Sequence, residues 1–230
     1  MKCILQLGAL LLFPLALFSQ ASLGPILGFN NTRYKYRIDN KFMRPDCKDV
    51  VLNVRAGAIA SIPLDGKGAF FQPAIVISSN SQRSDKLTYN SGLLSFSMLA
   101  AEIPLSLLLK GPRHNNGCWF LSPGIYFGRN LSGWHETKDI AGNYIRERID
   151  LDDDMVNGTK RGYMGARIDG GYEFRGGIAI RMFVQQALSN FANRPDPAGF
   201  RVSRKNYGLE FAYQFSLKKV PKPGEKQGDK

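Results

Sequence analysis

Eight stretches of this chain alternate apolar residues with polar or small ones at a period of two: 26–36, 50–63, 69–79, 94–110, 118–130, 161–174, 177–189 and 201–216. That period is the mark of a strand whose two faces meet different surroundings. Most of the stretches hold ten residues or more. A strand of a soluble protein usually holds about five or six, whereas about 9–11 are needed to cross a bilayer at a tilt. Residues 161–174, RGYMGARIDGGYEF, show the pattern clearly. Met164, Ala166, Ile168, Gly170, Tyr172 and Phe174 make one row, and Tyr163, Gly165, Arg167, Asp169, Gly171 and Glu173 make the other.

The connections alternate as well. LDGKG, GPRHNNG and RGG are short and built of turn residues, while 37–49, 80–93, 131–160 and 190–200 are long and polar. Short turns at one end, long loops at the other and an even number of strands predict an all-β fold, an eight-stranded antiparallel up-and-down transmembrane barrel. Alternation alone does not say which row faces inward, since a soluble barrel would hold its apolar rows inside. Three features favour the inverted arrangement: polar rows rich in Gly and in charges of both signs, the loop asymmetry, and aromatic residues near strand ends. Trp119, Phe120, Phe127, Phe174, Tyr213 and Phe215 are the expected interfacial girdle.

The first residues add a destination. Lys2 precedes an uncharged apolar run from Cys3 to Phe18 and then Ser19-Gln20-Ala21, the pattern of an export signal cleaved after Ala21. The expected division is a signal peptide at 1–21, a barrel at 22–217 and a disordered, basic periplasmic tail at 218–230. The formal charge of +12 is otherwise scattered. With an export signal and no recognised binding motif, it does not point to nucleic acid.

Several segments carry a resemblance. LNVRAGAIASIPLDGKGAFFQPAIVISSNSQ, AEIPLSLLLK, LSPGIYFG, RGYMGARIDGGYEF, IAIRMFVQQALSNF and YGLEFAYQFSL occur in this order along the chain. Together they resemble the small outer-membrane β-barrel family of Bacteroidota, the porin-family or PorT-like proteins. Glu102 to Lys110 is the most specific piece. Ala74 departs from the pattern, where the family often has an acidic residue after QP. The resemblance implies the fold and the outer membrane; it implies no shared reaction.

With the polar rows inward, Arg55, Glu102, Lys110, Arg167, Asp169, Glu173, Arg181 and Glu210 are expected to form an interior charge network, in which Arg167, Asp169 and Glu173 face the charges of neighbouring strands and Arg181 is the nearest candidate among those. Buried charges persist when paired, and an eight-stranded barrel is just wide enough to be filled by its own side chains. The set therefore reads as a plug; a narrow porin or small-solute uptake barrel is the alternative. A lipid A acyl hydrolase is a further alternative, resting on Ser132, His135 and Glu136 in a long loop, with His114 in a short turn. DLDDDMVNG, 150–158, begins with the acid spacing of a calcium loop, but Met155 and Arg161 stand where Gly and Glu are needed. Neither a metal site nor a cofactor is assigned. Cys47 and Cys118 are placed at opposite ends of the barrel, so no disulfide between them is expected.

These readings combine into a monomeric, non-enzymatic barrel plugged by its own side chains. Its expected role is structural, adhesive or in envelope assembly, through the external loops. Its expected partners are outer-membrane lipid and lipopolysaccharide and an envelope protein.

Overall fold

The computed structural model of the chain describes residues 21–38, 41–43, 51–64, 68–83, 93–114, 116–138, 143–149, 151, 161–189 and 201–216. The expected signal peptide before Ala21, the tail after 217, Cys47 and nearly all of the acidic stretch 150–158 lie outside them.

The described residues form one closed antiparallel sheet. Its wall runs through β1 (Ser22–Ile38), β3 (Asn53–Pro63), β4 (Ala69–Arg83), β5 (Leu93–Lys110), β6 (Gly117–Lys138), β8 (Gly162–Phe174), β9 (Ile178–Ala187) and β10 (Arg201–Tyr213). Each strand pairs with the next, and β10 closes the barrel on β1, Ile26 facing Ala212 and Arg37 facing Arg201. A two-residue β11 (Phe215–Ser216) carries the last wall past Gln214 and pairs with Leu23 and Ser22. Two short strands stand at the loop end: β2 (Lys41–Met43) folds back on β1, and β7 (Tyr144–Arg148) on β6. Closure pairs each of the eight wall strands on both sides and leaves no edge in the wall, as a bilayer demands.

The rows face the way the inverted barrel requires. Along β8, Met164 and Ile168 point outward, Ile168 being 47% exposed, while Arg167 and Asp169 point inward, Asp169 being 1% exposed. The same holds around the wall. Val54, Ile75, Ile103, Ile125, Ile180 and Phe211 are exposed, whereas Arg55, Glu102, Arg181, Arg204 and Glu210 are buried. A soluble protein does not present an apolar band of this extent to water. The barrel is a membrane-spanning one of the outer-membrane kind, with lipid as the solvent of its outer wall.

Several boundaries differ from expectation. β4 continues to Arg83 and β6 to Lys138, so parts of the expected loops 80–93 and 131–160 are strand. β6 lengthens because Trp134 to Lys138 find a second partner in β7, with Trp134 facing Arg148 and Lys138 facing Tyr144. Phe120 is not a girdle residue: it points inward and is buried, whereas Trp119 beside it is outward. The girdle at the turn end is instead a chain of edge-on rings. Trp119 to Tyr172 and Tyr172 to Phe174 each have centroids 5.0 Å apart, and Tyr213 and Phe215 stand 6.4 Å apart on the closing wall.

Orientation can be measured directly. Ile168→Arg, mid-row on the outer face, should cost about 2–4 kcal/mol of folding free energy. Gly162→Arg, at the loop end of the same strand with open space beside it, should cost about 0–1 kcal/mol. Urea titration of the barrel folded in lipid vesicles reads both.

Candidate functional site

The interior is layered along the barrel axis. Nearest the turns, Lys110 Nζ pairs with Glu173 Oε2 at 2.7 Å, both partly exposed, and Ser61 and Ser22 donate to Gln214 Oε1 at 2.9 Å. Above lies an apolar layer of Ile26, Ile59, Ala74, Val76, Leu108, Phe120, Ala179 and Ala212. Ala74, where the sequence departs from the pattern it resembles, sits in this apolar layer.

The middle layer holds the charges. Glu210 Oε1 takes Arg55 Nε at 2.9 Å, and Glu210 Oε2 takes Arg167 Nη2 at 2.8 Å and Arg181 Nε at 3.7 Å. Asp169 takes Arg167 Nε at 2.7 Å and Arg181 Nη2 at 3.0 Å. Glu102 takes Arg204 Nη2 at 2.7 Å and Arg55 Nη2 at 3.6 Å, and accepts from the Tyr163 hydroxyl at 2.9 Å. Gln185 bridges the two halves: it accepts from Arg55 Nη1 at 3.2 Å and donates to Glu102 Oε2 at 3.4 Å. Toward the loop end an amide layer follows, in which Thr32 and Asn206 both donate to Asn80 Oδ1, at 3.3 and 3.0 Å.

Four guanidinium groups thus face three carboxylates, and aromatic faces take up part of the remaining charge. Arg55 and Arg167 lie 4.3 and 4.6 Å from the centroid of Phe183, Arg204 lies 4.3 Å from that of Tyr163, and Arg181 lies 5.4 Å from that of Phe120. Such contacts are strongest when desolvated. Inward glycines make room for these rings. Phe120 faces Gly171 across the ladder, Tyr126 faces Gly165, Tyr163 faces Gly128 and Phe183 faces Gly208. A methyl group on Gly171 would come within 2.7 Å of the Phe120 ring, and one on Gly208 within 2.9 Å of the Phe183 ring. The regular alternation of glycine and bulk sets the fit of the interior. Among the described residues, Arg167, Asp169 and Arg181 line a cavity of about 10 Å³, room for one water at most.

All eight expected network residues point inward, but they form two sites rather than one. Lys110 and Glu173 pair separately at the turn end; the other six share the middle layer. Arg204, Tyr163, Gln185 and Phe183 were not among the expected set. Arg204 has the same parity as Glu210 and could have been found by extending that row three steps. Asn80 lies on β4, which continues past the expected strand end at 79.

The loop-end candidates separate. His135 is on β6, not in a loop, and its Nε2 lies 3.1 Å from Glu147 Oε2 across the β6–β7 hairpin. Glu136 accepts from Ser95 at 3.0 Å. Ser132, His135 and Glu136 therefore do not converge on one another. His114 is exposed in the turn before β6, bridged to Gly117. Cys118 is a buried free thiol beside that turn.

Removing the hub should expose its weight. Glu210→Ala leaves Arg55, Arg167 and Arg181 sharing Asp169 and Glu102, and should cost about 3–5 kcal/mol. Glu173→Ala, at the partly exposed rim, should cost about 1 kcal/mol or less. Gly128→Val, pressed against the Tyr163 ring, should cost about 1–3 kcal/mol. Equilibrium unfolding in detergent micelles ranks the three.

No family model matches the chain, and no curated protein matches it. Among solved structures, it is similar to the attachment invasion locus protein Ail of Yersinia pestis in complex with the heparin analogue sucrose octasulfate. That likeness has 8% identity and a TM-score of 0.39, and covers 85% of this chain and 99% of the other. A mutant of the monoaromatic hydrocarbon channel TodX follows at 7% identity and a TM-score of 0.28, covering 86% and 91%. An outer membrane channel from Pseudomonas putida F1 has 9% identity and a TM-score of 0.28, covering 85% and 96%. At these values the likenesses lend this chain no ligand and no role.

Proposed function

We propose that this chain is a monomeric, non-enzymatic resident of the outer membrane, close to the PorT-like barrels its sequence resembles. In this reading it acts through what stands outside the bilayer, as a structural, adhesive or envelope-assembly component. The observation that carries this is the sealed interior. The charged layer ties β3, β5, β8, β9 and β10 across the lumen, and the buried apolar layer beneath it supports a lumen closed to hydrated solutes among the described residues. An aqueous pore needs a continuous polar lumen, and this barrel fills its own.

The β6–β7 hairpin supports an interaction role. Every residue of β7 is exposed, Tyr144 by 69%, and Trp134 opposite is 40% exposed with Arg146 stacked 5.0 Å from its ring centroid. An exposed aromatic and arginine pair of this kind is the usual makeup of a protein-binding hot spot. The partner fitted by this hairpin is another envelope protein.

Two measurements test the reading. Purified protein in planar bilayers should show no steady single-channel conductance; a defined conductance would overturn the sealed barrel. A photo-crosslinking amino acid at Tyr144, irradiated in intact outer membranes, should yield a discrete protein adduct, whereas the same probe at lipid-facing Ile125 should not. Equal behaviour at the two positions would overturn the hairpin as the contact surface.

A further inference from the structure

The lipid-facing wall has a dent on β8. At one level of the ladder Phe29 faces Leu209, Leu209 faces Met182, Met182 faces Gly170 and Gly170 faces Leu121, all at outward positions. Gly170 is the member of this row without a side chain. A methyl group built on it would meet nothing nearer than the Phe120 carbonyl oxygen at 3.8 Å. Gly171 and Gly208 give their space to inward rings; Gly170 leaves its space open, beside the exposed side chain of Met182.

The dent opens into a groove of about 540 Å³ that crosses β8, β9, β10 and β1. Leu121, Ile168, Met182, Val184, Leu209 and Phe29 line it with Gly170, and its accessible lining is almost wholly apolar. At its loop-side end the lining reaches Asn31 and Tyr207, which face each other across the seam where β10 closes on β1.

Two residues further along that seam the outward positions are cationic. Arg33 directly faces Lys205, and Lys35 follows on β1. The Arg33 guanidinium lies 5.5 Å from the centroid of the Tyr207 ring, so it caps a side chain that lines the groove. Like charges directly opposite one another on a sheet repel, and an anion set between them turns that pair into a clamp. β1, β9 and β10 together contain one acid, Glu210, which is buried in the lumen. The outer corner of these three strands is therefore positive by its own makeup. At about 3.3 Å per residue and 4.8 Å per strand, Gly170 lies roughly 16 Å from Lys205. The hydrocarbon core of a bilayer is about 30 Å thick, so the groove has about the depth of one leaflet.

We propose that this groove seats one anionic, phosphate-bearing lipid of the loop-side leaflet, its phosphate between Arg33 and Lys205 and an acyl chain lying in the apolar furrow as far as Gly170. Guanidinium groups hold phosphate through paired, planar hydrogen bonds, and the furrow gives the chain a fixed course where the rest of the wall offers only bulk. A second copy of the protein fits less well. A two-fold contact through this face would bring the same cations of both copies toward one another. The site belongs to the outer wall, and it depends neither on a sealed lumen nor on the β6–β7 hairpin.

Native mass spectrometry of the purified protein in an uncharged detergent tests this with three probes: dimyristoyl phosphatidylglycerol, dimyristoylglycerol and glycerol phosphate. Wild-type protein should retain one phosphatidylglycerol saturably and bind each of the other two about tenfold more weakly. Variants shown folded by unchanged heat-modifiable migration on a gel separate the two ends of the site. Arg33→Ala/Lys205→Ala should lose about tenfold for phosphatidylglycerol and nothing for dimyristoylglycerol. Gly170→Leu, which fills the dent, should weaken both lipids by a similar factor, while Gly162→Leu, at another open glycine of β8, should weaken neither. Equal binding of the two lipids by wild-type protein, or undiminished binding by the alanine variant, would overturn the cationic clamp and the proposal with it. Undiminished binding by Gly170→Leu would overturn the groove as the seat of the chain. Glycerol phosphate held as tightly as the lipid would overturn the lipid in favour of a small soluble anion. A lipid-free dimer abolished by Gly170→Leu would overturn it in favour of a second copy.

Discussion

Glu210 is the point on which the interior turns. One carboxylate on β10 holds guanidinium groups from β3, β8 and β9, which ties strands on both sides of β10 through a single side chain. Each of these charges would be costly alone in a medium that excludes water, and each is tolerable because the others are within ion-pair distance. Glu102 repeats the device in the same layer, joining β5 to β3 and to Arg204 on the opposite wall. With lipid outside there is nowhere else for these groups to go, so the orientation of the wall and the existence of the network are one constraint seen from two sides.

The network in turn depends on small residues. Gly28 lies directly between Arg55 and Glu210 in the ladder, and Gly128 lies between Glu102 and Tyr163. A side chain at Gly28 would run into the Leu209 carbonyl and Glu210 itself. Glycine in a strand usually weakens it. Here it provides the volume into which a neighbouring arginine or ring folds, and the strand recovers through packing what it loses in backbone entropy. The same economy of space packs the interior of the described barrel with its own side chains.

The loop end of the barrel is shaped by β6. A single extra residue at Leu131 releases the strand from β8 and lets it rise with β7 above the barrel. The protruding hairpin and the arginine-lined cavity at its base both begin at that bulge.

Much of this was legible in the residues. The period-two rows identified the wall, and Arg55, Glu102, Arg167, Asp169, Arg181 and Glu210 could be assigned inward by parity alone, because parity is a local property of a strand. Asn80 obeys the same parity on a strand that runs past the apolar signal ending at 79, and Arg204 obeys it within the stretch 201–216, on the row of Glu210. Phe120 shows the opposite limit: an aromatic near a strand end reads as girdle, yet its parity sends it inside to meet Arg181. Pairing partners, the split of Lys110 and Glu173 from the central layer, the separation of His135 from Glu136, and the fork of β6 between two neighbours depend on register and on a bulge. By itself, the sequence determined the strands, their faces and the sign of what each face carries, since these follow from alternation along one segment. Only the tertiary structure decided which charges meet across the lumen and where three distant arginines come together, since closing the sheet brings into contact residues that no local pattern relates.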